Sequence, residues 1–360
     1  MTHLPTMQTY LKGKEAQINS NYPFNKEVKS TDPSLKIGKY EELEVLKTRF
    51  IGTQAKKIVQ KDNRPGLGLA YSLDPYVVCE QGCTHCSKRA KHNAGEYSSG
   101  VDLESSIHIM ENAPELLEKQ LQHKDWKVAP IMLSGTTDCY LPIEKKTEIT
   151  RKLLEIFLKY KHPVGITTKN ILILRDLDIL KKLNAENLVS VTIAINTLDD
   201  NLRRKLEPKA SSISVRLRLL QLLAAEGIPV TVLAAPIIPG LNDHGIFKLV
   251  KKVSELGARS IQPIVLRLNG DSKEIFNNWL NKNYPDSAQK ALHQICSLQK
   301  GHLGSSVSGE STEGSGKIAD MIHQQFKLAK KLYLIKRKPF EYNTILFGQM
   351  YRPQMSLFSV

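Results

Sequence analysis

Cys79, Cys83 and Cys86 fall within eight residues of one another, in the stretch CEQGCTHC. Thiolates this close together bind soft metals. Three of them hold three corners of a [4Fe–4S] cube and leave the fourth iron open to an outside ligand. Zinc is the competing reading: it asks for four ligands, and His85 or His92 would supply the last. Five cysteines, an odd number with three crowded together, make a poor disulfide framework. Thiols that must stay free to bind metal point to a reducing, cytoplasmic compartment.

The other conspicuous polar groups follow short apolar runs. Ser134, Gly135, Thr137 and Asp138 in SGTTD come after Val128–Leu133, and Lys169 after Pro163–Thr168. Asn196 and Thr197 follow Leu188–Ile195. Pro239 and Gly240, in PIIPGLND, follow Pro229–Ala235. The cysteine stretch follows Gly68–Val78, and RLNG follows Ile261–Leu266. These six runs read as strands, Leu188–Ile195 being rich in the Val, Ile and Thr that strands prefer. Amphipathic helical patterns separate them: Leu103–Leu121, which Pro114 should kink or split, Glu144–Lys161, two helices between Asp199 and Gly227, and His244–Leu256. Gly227 and Gly257 stand where a helix hands over to a strand and a left-handed residue is wanted.

Strands alternating with helices predict a parallel α/β architecture, doubly wound or barrel. In a barrel all the polar groups named above lie at the carboxyl ends of strands, on the face where active sites are built. The repeat ends after Arg267; Ile275–Leu280, Ala288–Leu298 and Ile318–Tyr333 read as helices, with a Gly/Ser-rich loop at Gly301–Gly316. The expected organisation is a loosely packed N-terminal arm (1–45), a barrel (46–270) and a C-terminal helical extension (271–360).

The chain has 360 residues, 41% of them hydrophobic, enough for a substantial core. No run approaches the ~18 consecutive apolar residues of a membrane span, and no secretory leader opens the chain; no membrane partner is expected. A formal charge of +15 favours anionic partners, nucleic acid among them.

The x3–x2 cysteine spacing at a strand end resembles the radical S-adenosylmethionine (SAM) superfamily. DPYVVCEQGCTHC, GVDLE, LSGTTDCYLPIE, TTKN, TLDDNLRRKLEPKA, APIIPGLND, VLRLNG, GSGKIADMI and MSLF are similar to its DNA repair photolyase-like bacterial branch, related to spore photoproduct lyase. His85 stands where an aromatic residue is usual, Lys209 where Arg is, and Asp74 and Asn269 where Asn and Pro are. The resemblance implies a partial (β/α)6 barrel of the TIM type, a [4Fe–4S] cluster and SAM as cofactors, and a flavodoxin- or ferredoxin-type reductant. It implies reductive cleavage of SAM to a 5′-deoxyadenosyl radical that abstracts hydrogen from a substrate, a nucleic-acid base being one option and a protein or small molecule another. A non-catalytic iron–sulfur or zinc module binding nucleic acid is the rival class.

Roles follow from that resemblance. Thr137 and Asp138, within Ser134–Asp138, would meet the methionine ammonium, with a helix cap as the alternative for Asp138. Lys169 would pair with the methionine carboxylate. Asn196 and Thr197 would bond the ribose hydroxyls, helix capping being an equal reading for Thr197, and the Pro239–Gly240 turn would offer backbone groups to adenine. Cys139 is a candidate hydrogen donor, although the corresponding cysteine of spore photoproduct lyase aligns nearer Gly135. Arg204 and Arg216 read as anion ligands or surface ion pairs, and Cys296 as a core residue.

Overall fold

The computed structural model describes residues 48–62, 69–86, 106–268, 270, 272–298, 314–338 and 340–349. The arm 1–45, GVDLE, His92, Asn269, most of the Gly/Ser-rich loop and MSLF lie outside them.

Six parallel strands run side by side in chain order: β3 (Tyr71–Leu73), β5 (Ile131–Leu133), β6 (Val164–Thr168), β7 (Val189–Ala194), β8 (Val230–Ile237) and β9 (Ser260–Val265). β2 (Val59–Lys61) pairs antiparallel with β3 at one edge. Order and direction are those of a partial (β/α)6 barrel, with no closure between the outer strands among the described residues. β8 alternates buried and half-buried residues, as a sheet covered by helices on one side demands. The covering helices are α1 (Ala113–Leu121), α2 (Glu144–Thr147), α3 (Ile149–Lys159), α4 (Leu177–Ala185), α5 (Asp200–Leu206), α6 (Ile213–Ala225) and α7 (Ile246–Glu255). Gly227 and Gly257 take φ of +74° and +99° at the ends of α6 and α7, the left-handed turn that releases the chain into β8 and β9.

Three expectations are corrected. Leu103–Leu121 is not one helix: Ser106–Met110 forms β4, which pairs in parallel with β1 (Arg49–Thr53). Ile107 and Ile109 alternate with a half-buried His108 and so satisfy a strand. Pro114 then sits in the first turn of α1, where its missing N–H costs nothing. Glu144–Lys161 is broken at Glu148, whose φ is +51°. The break lets the Glu144 carboxylate accept Thr150 N–H at 3.1 Å, Tyr76 Oη at 2.5 Å and Arg175 Nη2 at 2.8 Å in the interior. The first strand is short because residues after Leu73 turn to β4: Val77 N–H bonds the His108 carbonyl at 3.0 Å, and Met110 N–H that of Pro75 at 2.9 Å.

Beyond β9, α8 (Ser272–Asn283) and α9 (Pro285–Leu298) pack Phe276, Trp279, Leu280 and Ile295 on Leu202 and Leu206 of α5 and on Ile238 and Leu241 of the turn after β8. Trp279 Nε1 bonds the Lys205 carbonyl at 2.8 Å. α10 (Lys317–Tyr333) lies on α7 and β9. The segment leading into α11 (Ile345–Gln349) folds under the strands' amino ends, where Tyr342 Oη meets Ser190 Oγ of β7 at 2.6 Å. A β-carbon at Gly165 would lie 2.8 Å from that same phenol oxygen. The carboxyl ends are thus flanked by α8 and α9, and the amino ends stopped by the tail. No helix among the described residues is long and apolar enough to cross a membrane.

Candidate functional site

The cysteine loop leaves the Tyr71–Leu73 strand through Asp74–Val78 and turns at Gly82, whose φ is +68°. Cys86 N–H bonds the Cys83 carbonyl at 3.4 Å, and Thr84 N–H reaches the Leu206 carbonyl of α5 at 3.3 Å, so the loop is docked on the barrel. Cys83 is buried, and Cys79 and Cys86 are partly so. The three thiols sense one another: burial first, then the neighbouring Cys86 and Cys83, push the Cys79 thiol well above its ordinary value. Burial likewise pushes the Cys83 thiol up to about 12, against the pull of Lys169. Thiols so hard to ionise in a buried, shared pocket become ligands when a metal supplies the compensating charge. The Thr84 hydroxyl, fully buried beside them, has no hydrogen-bond partner. Three converging thiols and an orphaned hydroxyl fit an iron–sulfur cluster.

They fit zinc poorly. Ligand atoms of Cys83, His85 and Glu207 lie within 4.8 Å of one another. A cation already sits among them: Lys169 Nζ is 2.7 Å from Glu207 Oε1 and 3.8 Å from Cys83 Sγ. His85 points Nε2 at that same carboxylate oxygen, 3.6 Å away.

Asp138 joins three strand-end loops. Its carboxylate accepts Gln81 Nε2 of the cysteine loop at 3.1 Å, Tyr140 N–H of its own loop at 3.0 Å, and Thr168 Oγ1 and Lys169 N–H beyond β6 at 2.7 and 2.9 Å. It caps no helix, and with four donors aimed at it the side chain positions its neighbours. Asp74 does the same from the end of β3, accepting Thr136 N–H and Thr137 N–H at 2.9 and 3.1 Å. Thr137 Oγ1 donates to the Val77 carbonyl at 3.1 Å. Ser134 adopts φ +76°; its hydroxyl donates to the Thr137 carbonyl and accepts Cys139 N–H at 3.2 Å. Ser134–Asp138, with Gly135 at its turn, is a stiff loop held against the cysteines.

At the end of β7, Asn196 is buried; its backbone carbonyl accepts Asn242 Nδ2 at 2.9 Å, but its own Oδ1 has no partner. Thr197 Oγ1 accepts Asp199 N–H at 3.0 Å, and the N-cap of α5 is Asp199, not Thr197. Beyond β8, Asn242 closes the Ile238–Asn242 turn on itself by accepting Ile238 N–H at 2.7 Å. Gly240 there has φ +78° and donates its N–H to Asp243 at 2.9 Å, while Pro239 is buried. Cys139 is fully buried beside Tyr140 and Leu141; burial, then Asp138 and Glu144, raise its thiol well above the ordinary value.

Two readings of isolated residues change. Arg216 is fully buried, bonding Glu207 Oε2 at 2.6 Å and the Ala194 carbonyl at 2.9 Å, so it is no surface ion pair; Arg204 is one, near Asp200. Cys296 is only half-buried and lies outside the core of α9. Glu207 itself was not singled out from sequence, although it lies inside the quoted LEPKA stretch.

The profile of the radical SAM superfamily matches residues 73–253, from β3 into α7, and the chain belongs to that superfamily. The family uses a [4Fe–4S] cluster and SAM. An uncharacterized protein of Methanocaldococcus jannaschii is 30% identical over 67% of this chain and 86% of its own length. An uncharacterized protein of Mycobacterium tuberculosis is 25% identical over 62% of this chain, which spans 66% of that relative. Among solved structures, spore photoproduct lyase complexed with dinucleoside spore photoproduct shares the fold at TM-score 0.56 and 14% identity, covering 79% of each chain. A variant of that lyase with bound AdoMet and the same dinucleoside gives TM-score 0.57 over 83% of this chain and 85% of its own.

Proposed function

We propose that this chain is a radical SAM enzyme that takes hydrogen from a nucleic-acid base. The observation that carries the enzyme reading is that one loop bearing three thiols, Cys83 buried and Cys79 and Cys86 partly so, lies at the same strand ends as the loops after β5, β6, β7 and β8. Cys79, Cys83 and Cys86 would hold the [4Fe–4S] cluster, which would supply the electron for reductive cleavage of SAM.

The chain's own part is placement and exclusion of water. Asp138 and Asp74 hold the Ser134–Thr137 loop rigid, so its backbone groups meet the methionine head without reorganisation. Asn196 Oδ1, a buried acceptor with no partner of its own, takes a ribose hydroxyl. The Pro239–Gly240 turn flanks the adenine, with Gln294 Oε1 of α9 3.1 Å from where a Gly240 β-carbon would stand. Cys139 is sealed in the core and is assigned no hydrogen transfer.

The substrate class rests on the formal charge of +15, together with the fold shared with an enzyme whose structure holds a dinucleoside photoproduct. A flavodoxin- or ferredoxin-type reductant and a cytoplasmic setting belong to the same reading. The test uses oligonucleotides deuterated on the bases. Deuterium in the recovered 5′-deoxyadenosine, with binding that weakens steeply as salt rises, supports the proposal. Unlabelled 5′-deoxyadenosine and salt-insensitive binding move the reading to a protein or small-molecule substrate.

A further inference from the structure

Lys169, Glu207, Arg216 and His85, the last from the cysteine loop itself, come from four segments of chain and meet beside Cys83. Glu207, 1% exposed, receives Lys169 Nζ at 2.7 Å on one oxygen and Arg216 Nη2 at 2.6 Å on the other, and His85 approaches the first at 3.6 Å. Arg216 is fixed in turn by the carbonyls of Ser211 and Ala194, both at 2.9 Å. A buried carboxylate flanked by two cations leaves the triad with one net positive charge. That charge is not spread evenly: the Lys169 ammonium is the part turned toward Cys83, at 3.8 Å from its sulfur.

Resting on the proposed function, we infer that Lys169 sets the reduction potential of the cluster, and that Glu207 is the positioning residue that pins its ammonium beside the Cys83 sulfur. Adding an electron to a cluster with three thiolate ligands increases its negative charge. A cation and N–H donor at a ligand sulfur favour that step, because cluster potentials follow net charge and hydrogen bonds to sulfur. A free lysine would retreat toward solvent; Glu207, braced by Arg216, prevents it. This assigns Lys169 to the cluster and not to the methionine carboxylate.

Redox titration followed by electron paramagnetic resonance, on reconstituted protein without SAM, separates the two roles, since a carboxylate partner has no effect until SAM is present. Lys169→Met is expected to lower the reduction equilibrium about tenfold, a shift of about 59 mV to more negative potential for one electron. Lys169→Arg keeps the charge and should hold most of the wild-type value, which also controls for folding. In a Glu207→Gln background the Lys169→Met step should shrink to less than half, because the ammonium is no longer pinned. An unchanged potential in Lys169→Met, or an equal fall in Lys169→Arg, overturns the inference. Absence of any [4Fe–4S] signal in the wild-type protein instead overturns the functional reading beneath it.

Discussion

Trp126 Nε1 donates to His162 Nε2 at 3.1 Å, while His162 Nδ1 lies 3.0 Å from the carbonyl of Pro163. A carbonyl only accepts and an indole only donates, so this ring must carry its proton on Nδ1 and stay neutral. Phe157 and Phe347 pack on it, 5.8 and 5.0 Å between centroids, and tie the C-terminal tail to the floor of the barrel.

This arrangement makes stability depend on pH. Burial lowers the His162 pKa from 6.5 to about 4, partly opposed by the Pro163 hydrogen bond. A histidine with a depressed folded pKa contributes fully above its unfolded pKa. Its contribution falls away as pH drops from about 6.5 to about 4, where the unfolded chain binds the extra proton. The loss amounts to about 3 kcal/mol at about 1.4 kcal/mol per unit. Urea unfolding across that window should show it, with Trp126 fluorescence as a probe, and His162→Gln should flatten the wild-type slope.

Asp138→Ala strips one acceptor from four donors in three loops. We expect a loss of about 3 kcal/mol, typical of leaving buried donors unpaired. Reconstituted iron content should also fall, because Gln81 of the cysteine loop loses its anchor. Thermal unfolding and iron assay read the two effects separately.

Asn196→Ala removes an oxygen that bonds nothing within the protein. Its melting temperature should stay near wild type while SAM affinity drops about tenfold, or about 1.4 kcal/mol. Calorimetric titration of reconstituted protein decides; equal affinity would remove Asn196 from the SAM pocket.

Phe347→Ala should destabilise the fold by about 3 kcal/mol as a large buried ring is lost. Tyr342→Phe, which deletes the hydroxyl meeting Ser190 Oγ, should cost about 1 kcal/mol. Neither touches the strand carboxyl ends, so denaturant midpoints should shift while cluster content holds.

The parts of this molecule legible in its sequence are those with local periodicity or spacing. β6, β7 and β8 carry β-branched runs, and the cysteine spacing is a short-range pattern that survives without tertiary knowledge. Ile107 and Ile109 misled because five residues fit a helix as well as a strand, and pairing with Arg49–Thr53 decides between them. Glu148 breaks its helix because Glu144 is recruited by Tyr76, 68 residues earlier, and by Arg175, 31 later. Glu207 went unread, and the buried partner of Arg216 went unnamed, for the same reason. A charged residue in an amphipathic segment looks solvated until its partner is known, and Lys169 is 38 positions from Glu207. The Glu-Pro pair inside a quoted motif was the available signal.

The central claim is that Cys79, Cys83 and Cys86 hold a cluster that opens SAM. Its most direct measurement is 5′-deoxyadenosine released by anaerobically reconstituted protein given dithionite and SAM. The account predicts release from the wild-type chain and none from Cys83→Ala. Tightly bound zinc with no 5′-deoxyadenosine from the wild-type protein would contradict it.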